Sequence, residues 1–272
     1  MAFEKSVRYS NLVDAKTSAD LVLKDGVIFN NRYEGSAKAG AVKVRKTGAV
    51  SVVDYDPVTG AAMEKGESEY ITINIDKDKA VNHRIDGYDA AAVTDDAIGE
   101  ACNDAGYSMA LVLDTDGAAC LVAEGTAFGD TAAITADTAY GIAVDARKAL
   151  SKANVPNDGR RYLVVSPDAY AAMLKSPEFV KASDLGDKVV QTGAVGAIAG
   201  FNVYESNNLG EGVEFVAGHP LFATRVNEWA VAVHVQDLNG SGNYIGECAI
   251  QGRKVYAHKV TNPAAILVKK SA

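Results

Sequence analysis

From Asp86 to Asp145 the chain has no lysine and no arginine, although 27 of these residues occur elsewhere. The same stretch carries twelve carboxylates: Asp86, Asp89, Asp95, Asp96, Glu100, Asp104, Asp114, Asp116, Glu124, Asp130, Asp137 and Asp145. The formal net charge is −8. A chain-wide grip on nucleic acid needs a basic footprint for the phosphates, and that is missing. Cysteine is scarce. Cys102, Cys120 and Cys248 are an odd three without metal-ligand spacing, so reduced, buried thiols are expected. No apolar run approaches the roughly 20 residues of a membrane-spanning helix. Met1-Ala2-Phe3-Glu4-Lys5 lacks a signal-peptide core, so a cytosolic origin is expected.

Catalytic signatures are missing too. His83, His219, His234 and His258 are far apart, with no H-E-x-x-H or H-x-H pair. There is no G-x-S-x-G elbow. Gly193, Gly196 and Gly200 do not follow the dinucleotide spacing, and no Gly-Lys-Ser/Thr follows them. Asp114-Thr115-Asp116-Gly117 is a fragment of a calcium loop without its closing glutamate, and reads as a turn. Carboxylates are abundant, but nothing selects one pair as acid and base. No cofactor or metal is expected.

What is present reads as mixed α+β structure. Residues 1–35 form no sustained pattern beyond an apolar patch of Leu21, Val22, Leu23, Val27, Ile28 and Phe29 around Asp25-Gly26. Residues 36–82 read as a hairpin. Val42 and Val44 alternate with Lys43 and Arg45, Asp56-Pro57-Val58-Thr59-Gly60 is a turn, and Ile71, Ile73 and Ile75 alternate with Thr72 and Asn74. One face of that ribbon needs cover, and no nearby helix supplies it. The segment is either an edge hairpin on the main domain or an arm and loop that lie elsewhere.

Asp89 to about Leu113 suits a long helix with an apolar stripe of Val93, Ala97, Ala101, Ala105, Met109 and Val112. A loop or short strand over Ala119–Ala123 is expected next. A second helix should run from about Thr135 to Ala153, with Ile142, Ala146 and Leu150 on one face. The acidic run is ordinarily a solvated face. Later come a strand at Glu214–Ala217 and an alternating strand with Trp229, Val231, Val233 and Val235 on one face. A turn at Asn239-Gly240, a strand at Lys254–Val260 and a closing strand after Pro263 complete the chain.

The most informative stretch runs from Val155 to Leu174. Pro156-Asn157-Asp158-Gly159 is turn chemistry, and Tyr162–Val165 is a short buried strand. Ser166 can cap a helix start, Pro167 suits its first position, and Asp168 favours its positive end. Gly193 to Leu209 follows as a small-residue segment, a strand and a polar turn.

Together these two stretches resemble the major capsid proteins of tailed bacteriophages, the Hong Kong 97 coat fold. In that family a "vP-dgR-vvsP-y-Ll" segment precedes a "G-ig-i-Gf-VyeSnnl" segment. The resemblance implies an N-terminal arm (1–35), an extended loop (36–82), a peripheral domain with a spine helix (83–154 and 245–272) and an axial domain (155–244). It implies a non-enzymatic shell protein enclosing double-stranded DNA in the virion, assembled in the bacterial cytoplasm. Expected partners are copies of itself in pentamers and hexamers, a portal, a separate scaffolding or decoration protein, and DNA held without sequence specificity. Met1 stands almost at the arm, so no long fused scaffolding segment is expected. With that assignment, Lys38, Lys43, Arg45 and Lys46 are candidate inter-subunit contacts to Asp89, Asp95, Asp96 and Glu100. Other readings are an encapsulin-like compartment and a soluble α+β enzyme or binding domain.

Overall fold

The short buried strand at 162–165 lies in the middle of the largest sheet. The computed structural model describes residues 21–33, 40–47, 50–61, 68–88, 97–177, 196–240 and 242–271. In chain order the strands and helices are β1 (Ala41–Thr47), β2 (Ser68–Asn74), β3 (Lys77–Asp86), α1 (Ala97–Glu124), β4 (Thr126–Ala127), α2 (Ala139–Lys152) and β5 (Tyr162–Val165). They continue with α3 (Pro167–Leu174), β6 (Ala197–Ile198), β7 (Phe201–Glu205), β8 (Val213–Gly218), β9 (Ala223–Asp237), β10 (Glu247–Val260) and β11 (Ile266–Lys270). Among the described residues three sheets result: the ribbon β1–β2, the antiparallel β3-β10-β9, and the mixed β4-β11-β8-β5-β7-β6.

The six-stranded sheet is covered on both faces, which is why β5 is apolar throughout. Leu163 and Val165 point to one face and pack with Ile142, Ala146 and Leu150 of α2 and Met173 of α3. Tyr162 and Val164 point to the other and pack with Ala118 and Leu121 of α1. Ser166 caps α3 as its residue type suggests, its Oγ accepting from the Ala169 amide at 3.4 Å. α2 starts at Ala139 rather than Thr135, because Thr135–Thr138 form a hydrogen-bonded turn ahead of it. β11 lies between β4 and β8, and its Ile266 and Val268 share a core with Leu121 of α1.

Two expectations need correction. First, Asp114–Gly117 is not a turn and Ala119–Ala123 is not a strand; both lie inside α1, which runs unbroken to Glu124. The acids do not compete for the helix backbone, because their carboxylates bind outside it. Asp114 accepts from the Leu23 amide (2.8 Å) and from Asn208 (2.9 Å), and Asp116 accepts from the Tyr256 hydroxyl (2.8 Å). Gly117 is there for a close approach: a Cβ would lie 2.9 Å from the Phe29 ring. In the expected stripe, Ala105 is buried but Val112 is exposed.

Second, segment 21–33 and the paired strands β1, β2 and β3 do have cover from their own chain. Leu23, Ile28 and Phe29 are buried against α1 and the six-stranded sheet. The ribbon pairs Val42 with Ile73 and Val44 with Ile71, so these four share a face. Val44 and Ile73 are buried on Val226 and Ala257, with Tyr33 beside them. β3 pairs along its whole length with β10. The cysteines are free as expected, but half-buried rather than buried. Burial and the neighbouring Glu124 push the Cys120 thiol up to about 12, which leaves it inert.

Candidate assembly surface

Buried polar ties hold the surface elements in place. Segment 22–31 is tied to β9 and β10 by Arg225, whose side chain is 4% exposed. Its guanidinium donates to Asp25 Oδ1, the Leu23 carbonyl and His258 Nε2, each at 2.8 Å, and lies 4.8 Å over the Phe29 ring. His258 must be neutral to accept, and its surroundings enforce this. Burial first, then Arg225, Lys254 and Lys77, hold its pKa down to about 3. Asn30 completes the tie, donating to the carbonyls of Pro220 (2.6 Å) and Ala223 (2.8 Å) and accepting from Thr224 (3.1 Å).

The turn before β5 is held in the same way. Arg161 is buried and donates to the carbonyls of Pro156 (2.9 Å) and Val155 and to Ser151 Oγ (3.2 Å). These bonds pin the 155–156 loop to the last turn of α2. Asp158 joins the turn to the 219–222 connection. Its carboxylate meets His219 Nε2 at 2.8 Å and Arg160 Nε at 2.9 Å, and these bonds hold it well below the usual carboxylate range. His219 Nδ1 accepts from the Leu221 amide, so Nε2 carries the proton. Lys269, fully buried, donates to the carbonyls of Asp130 and Ala132.

These ties engage their side chains within the fold. His219 has a carboxylate on one side and a backbone amide on the other, which leaves no ring nitrogen for a nucleophile. Among the described residues, no cluster of three or more His, Cys, Asp or Glu could hold a metal ion. Sequence reasoning missed Arg161, Arg225 and Lys269. The available signal was a single charge inside an otherwise buried stretch, as in Ala223-Thr224-Arg225-Val226, which must be paired to be tolerated.

Beyond its anchored base, the ribbon carries the largest uncovered apolar stretch of the described residues. Val50, Val52, Tyr55 and Val58 are 84%, 96%, 74% and 91% exposed. The turn within it forms as expected: Asp56 pairs with Gly60, and Asp56 Oδ1 accepts from the Val58 amide at 2.7 Å. Lys43, Arg45 and Lys46 lie exposed on β1, and Glu100 lies exposed in the first turn of α1. Lys46 lies 3.8 Å from Glu69 across the ribbon. Lys38, Asp89, Asp95 and Asp96 are outside the described residues. A second exposed apolar feature is the face of β9, where Trp229 lies under Arg253.

A well-tied body with an uncovered apolar projection is the layout of a subunit that assembles, and comparison with known proteins agrees. The fold is similar to a chain from Mycobacterium phage Che8, at 26% identity, with 98% of each chain covered and a TM-score of 0.83. It is similar to the capsid structure of cyanophage P-SCSP1u, at 16% identity, covering 97% of this chain and 92% of that one, with a TM-score of 0.81. It is also similar to the mature capsid of bacteriophage PhiM1, at 14% identity, covering 98% and 92%, with a TM-score of 0.73. The last two likenesses speak for the fold alone. No curated protein matches the sequence. Residues 71–268, however, match the family described as phage capsid protein. The chain belongs to that family, as a shell-forming major capsid protein with the Hong Kong 97 fold.

Proposed function

We propose that copies of this chain join as pentamers and hexamers of an icosahedral shell around double-stranded phage DNA, the ribbon of each copy lying on a neighbour. The observation that carries this reading is the ribbon tip, where four large apolar side chains have no cover among the described residues of their own chain. Four such side chains exposed within nine residues are more than the scattered apolar positions of an ordinary surface. An interface of the obligate kind buries more than about 2,000 Å². Within the subunit, residues 1–35 act as the arm and 36–82 as the extended loop. Residues 83–154 with 245–272 form the peripheral part and 155–244 the axial part, the six-stranded sheet joining the two.

Lys38, Lys43, Arg45 and Lys46 of one copy meet carboxylates of neighbouring copies, with Asp89, Asp95, Asp96 and Glu100 among the candidates. Such contacts steer and register subunits more than they bind them. The −8 net charge favours a wall that holds DNA loosely rather than by sequence. The particle is built in the bacterial cytoplasm, with a portal and a separate scaffolding or decoration protein as further partners. The subunit is a tile, not an enzyme.

Electron microscopy of the purified protein across protein and salt concentration tests this. Rings, sheets or shells are expected. A compact monomer under every assembly condition, with or without a scaffolding partner, would sink the reading.

A further inference from the structure

Between the ribbon base and the 219–222 connection runs a groove of about 270 Å³. Its rim carries Arg32, Arg45 and Lys46, and its floor includes Tyr33, Val44 and Phe222. A second cavity of about 310 Å³ adjoins it through Arg32 and Leu221 and adds Arg160. Among the described residues, no carboxylate lines either of them, although Lys46 lies 3.8 Å from Glu69 across the ribbon and Arg160 is bonded to Asp158. This is a cationic rim over an apolar floor, on a chain with eight more acids than bases.

The ribbon tip is its complement. Residues 50–61 contain Asp54 and Asp56 and no basic residue, and Tyr55 between them is 74% exposed. The hydrogen bonds of the Asp56 carboxylate and of the Asp56–Gly60 bridge close within the turn itself, so the turn presents a preformed shape.

We propose that this groove receives the ribbon tip of a second copy, with Asp54 and Asp56 against Arg32 and Lys46, and Tyr55 on the apolar floor. The inference rests on the reading that the ribbon lies on a neighbour, and it names the surface that receives it. The contact is heterologous: one copy contributes its tip, the next its groove. Repeated with a rotation that divides the full circle, such a contact closes a ring. Its charges set register, and its aromatic anchor resists dissociation.

Charge reversal tests the pairing. Arg32→Glu with Lys46→Glu in one chain, and Asp54→Lys in another, should each raise the protein concentration needed for assembly by about tenfold or more at low salt. All three substitutions in one chain should restore assembly. Circular dichroism of the unassembled variants checks that each is folded. A second test does not depend on the size of a charge effect. Tyr55→Cys with Asn262→Cys, under a mild disulfide-forming oxidant, should give a ladder of linked multimers, and neither single variant should. Shells that form normally with reversed charges, or that form without any link, overturn the groove assignment and leave the shell reading intact. A link made only within single chains overturns it too, since the tip would then occupy its own groove. Failure of the unaltered protein to assemble at all overturns both.

Discussion

The base of the β1–β2 ribbon and its tip are built from similar residues and meet opposite surroundings. At the base, Val44 and Ile73 alternate with polar neighbours and are buried on Val226 and Ala257 of the same chain. At the tip, Val52 and Val58 are more than 90% exposed. Period-two alternation announces a face that needs cover, but not which chain supplies it. A two-stranded ribbon alone is marginal in water. Here the base is fixed by the body, which includes segment 22–33 tied down by Arg225 and Asn30. The tip is therefore presented from a fixed root, which would lower the ordering cost of the contact proposed for it.

The comparison breaks most visibly under truncation. Ile73→Ala at the base should destabilise the unassembled subunit by about 2–5 kcal/mol, through lost burial and the cavity left behind. Val52→Ala and Val58→Ala at the tip should each stay within about 0.5 kcal/mol of the parent, since both side chains are almost fully in solvent. Denaturant unfolding of dilute subunit measures both. Equal losses at base and tip would show that the tip is packed in the free subunit.

Much of segment 155–174 is legible in the residues themselves. The Pro156–Gly159 turn, the 162–165 strand and the Ser166-Pro167 helix start are local signals, and local chemistry decides them. The long helix is harder to read. Asp114, Thr115, Asp116 and Gly117 spell a turn locally, and long-range bonds to Leu23, Asn208 and Tyr256 overrule that spelling. The cover for segment 22–29 is equally hidden, because its partners lie some 90 to 200 positions away in the chain. Of the eight charged residues expected at subunit contacts, Lys43, Arg45, Lys46 and Glu100 are surface positions in the structure. Exposure follows from charge. A partner on another copy leaves no trace in a single sequence.

A smaller effect sharpens the account of the anchored base. His258 is held down to about 3, against 6.5 for a free imidazole, by burial and by Arg225. Between those values the unfolded chain takes up a proton that the folded chain refuses. Stability conferred by the neutral ring is therefore complete above about pH 6.5 and falls as pH drops toward 3, by at most about 1.4 kcal/mol per pH unit. His258→Gln keeps an oxygen for Arg225 and removes the titration. Unfolding curves from pH 7 to 4 should show a shallower acid decline for the variant. The depressed carboxylates Asp56, Asp78 and Asp158 weaken the fold in the same direction but are common to both proteins, so they cancel in the difference. Parallel declines would mean that the ring is solvated in the folded subunit.

The smallest effect expected is at Lys46 and Glu69, which face each other at 3.8 Å with side chains 60% and 81% exposed. Water screens such a pair, and holding two long side chains in place offsets much of the attraction. A double-mutant cycle with Lys46→Ala and Glu69→Ala should give a coupling below about 0.5 kcal/mol in the unassembled subunit. Lys46 would then be dispensable for folding while remaining on the rim that we assign to the incoming tip. A coupling well above about 1 kcal/mol would instead make Lys46 a fastener of the ribbon, and any assembly defect in its variants would follow from a loosened base rather than a lost contact between copies.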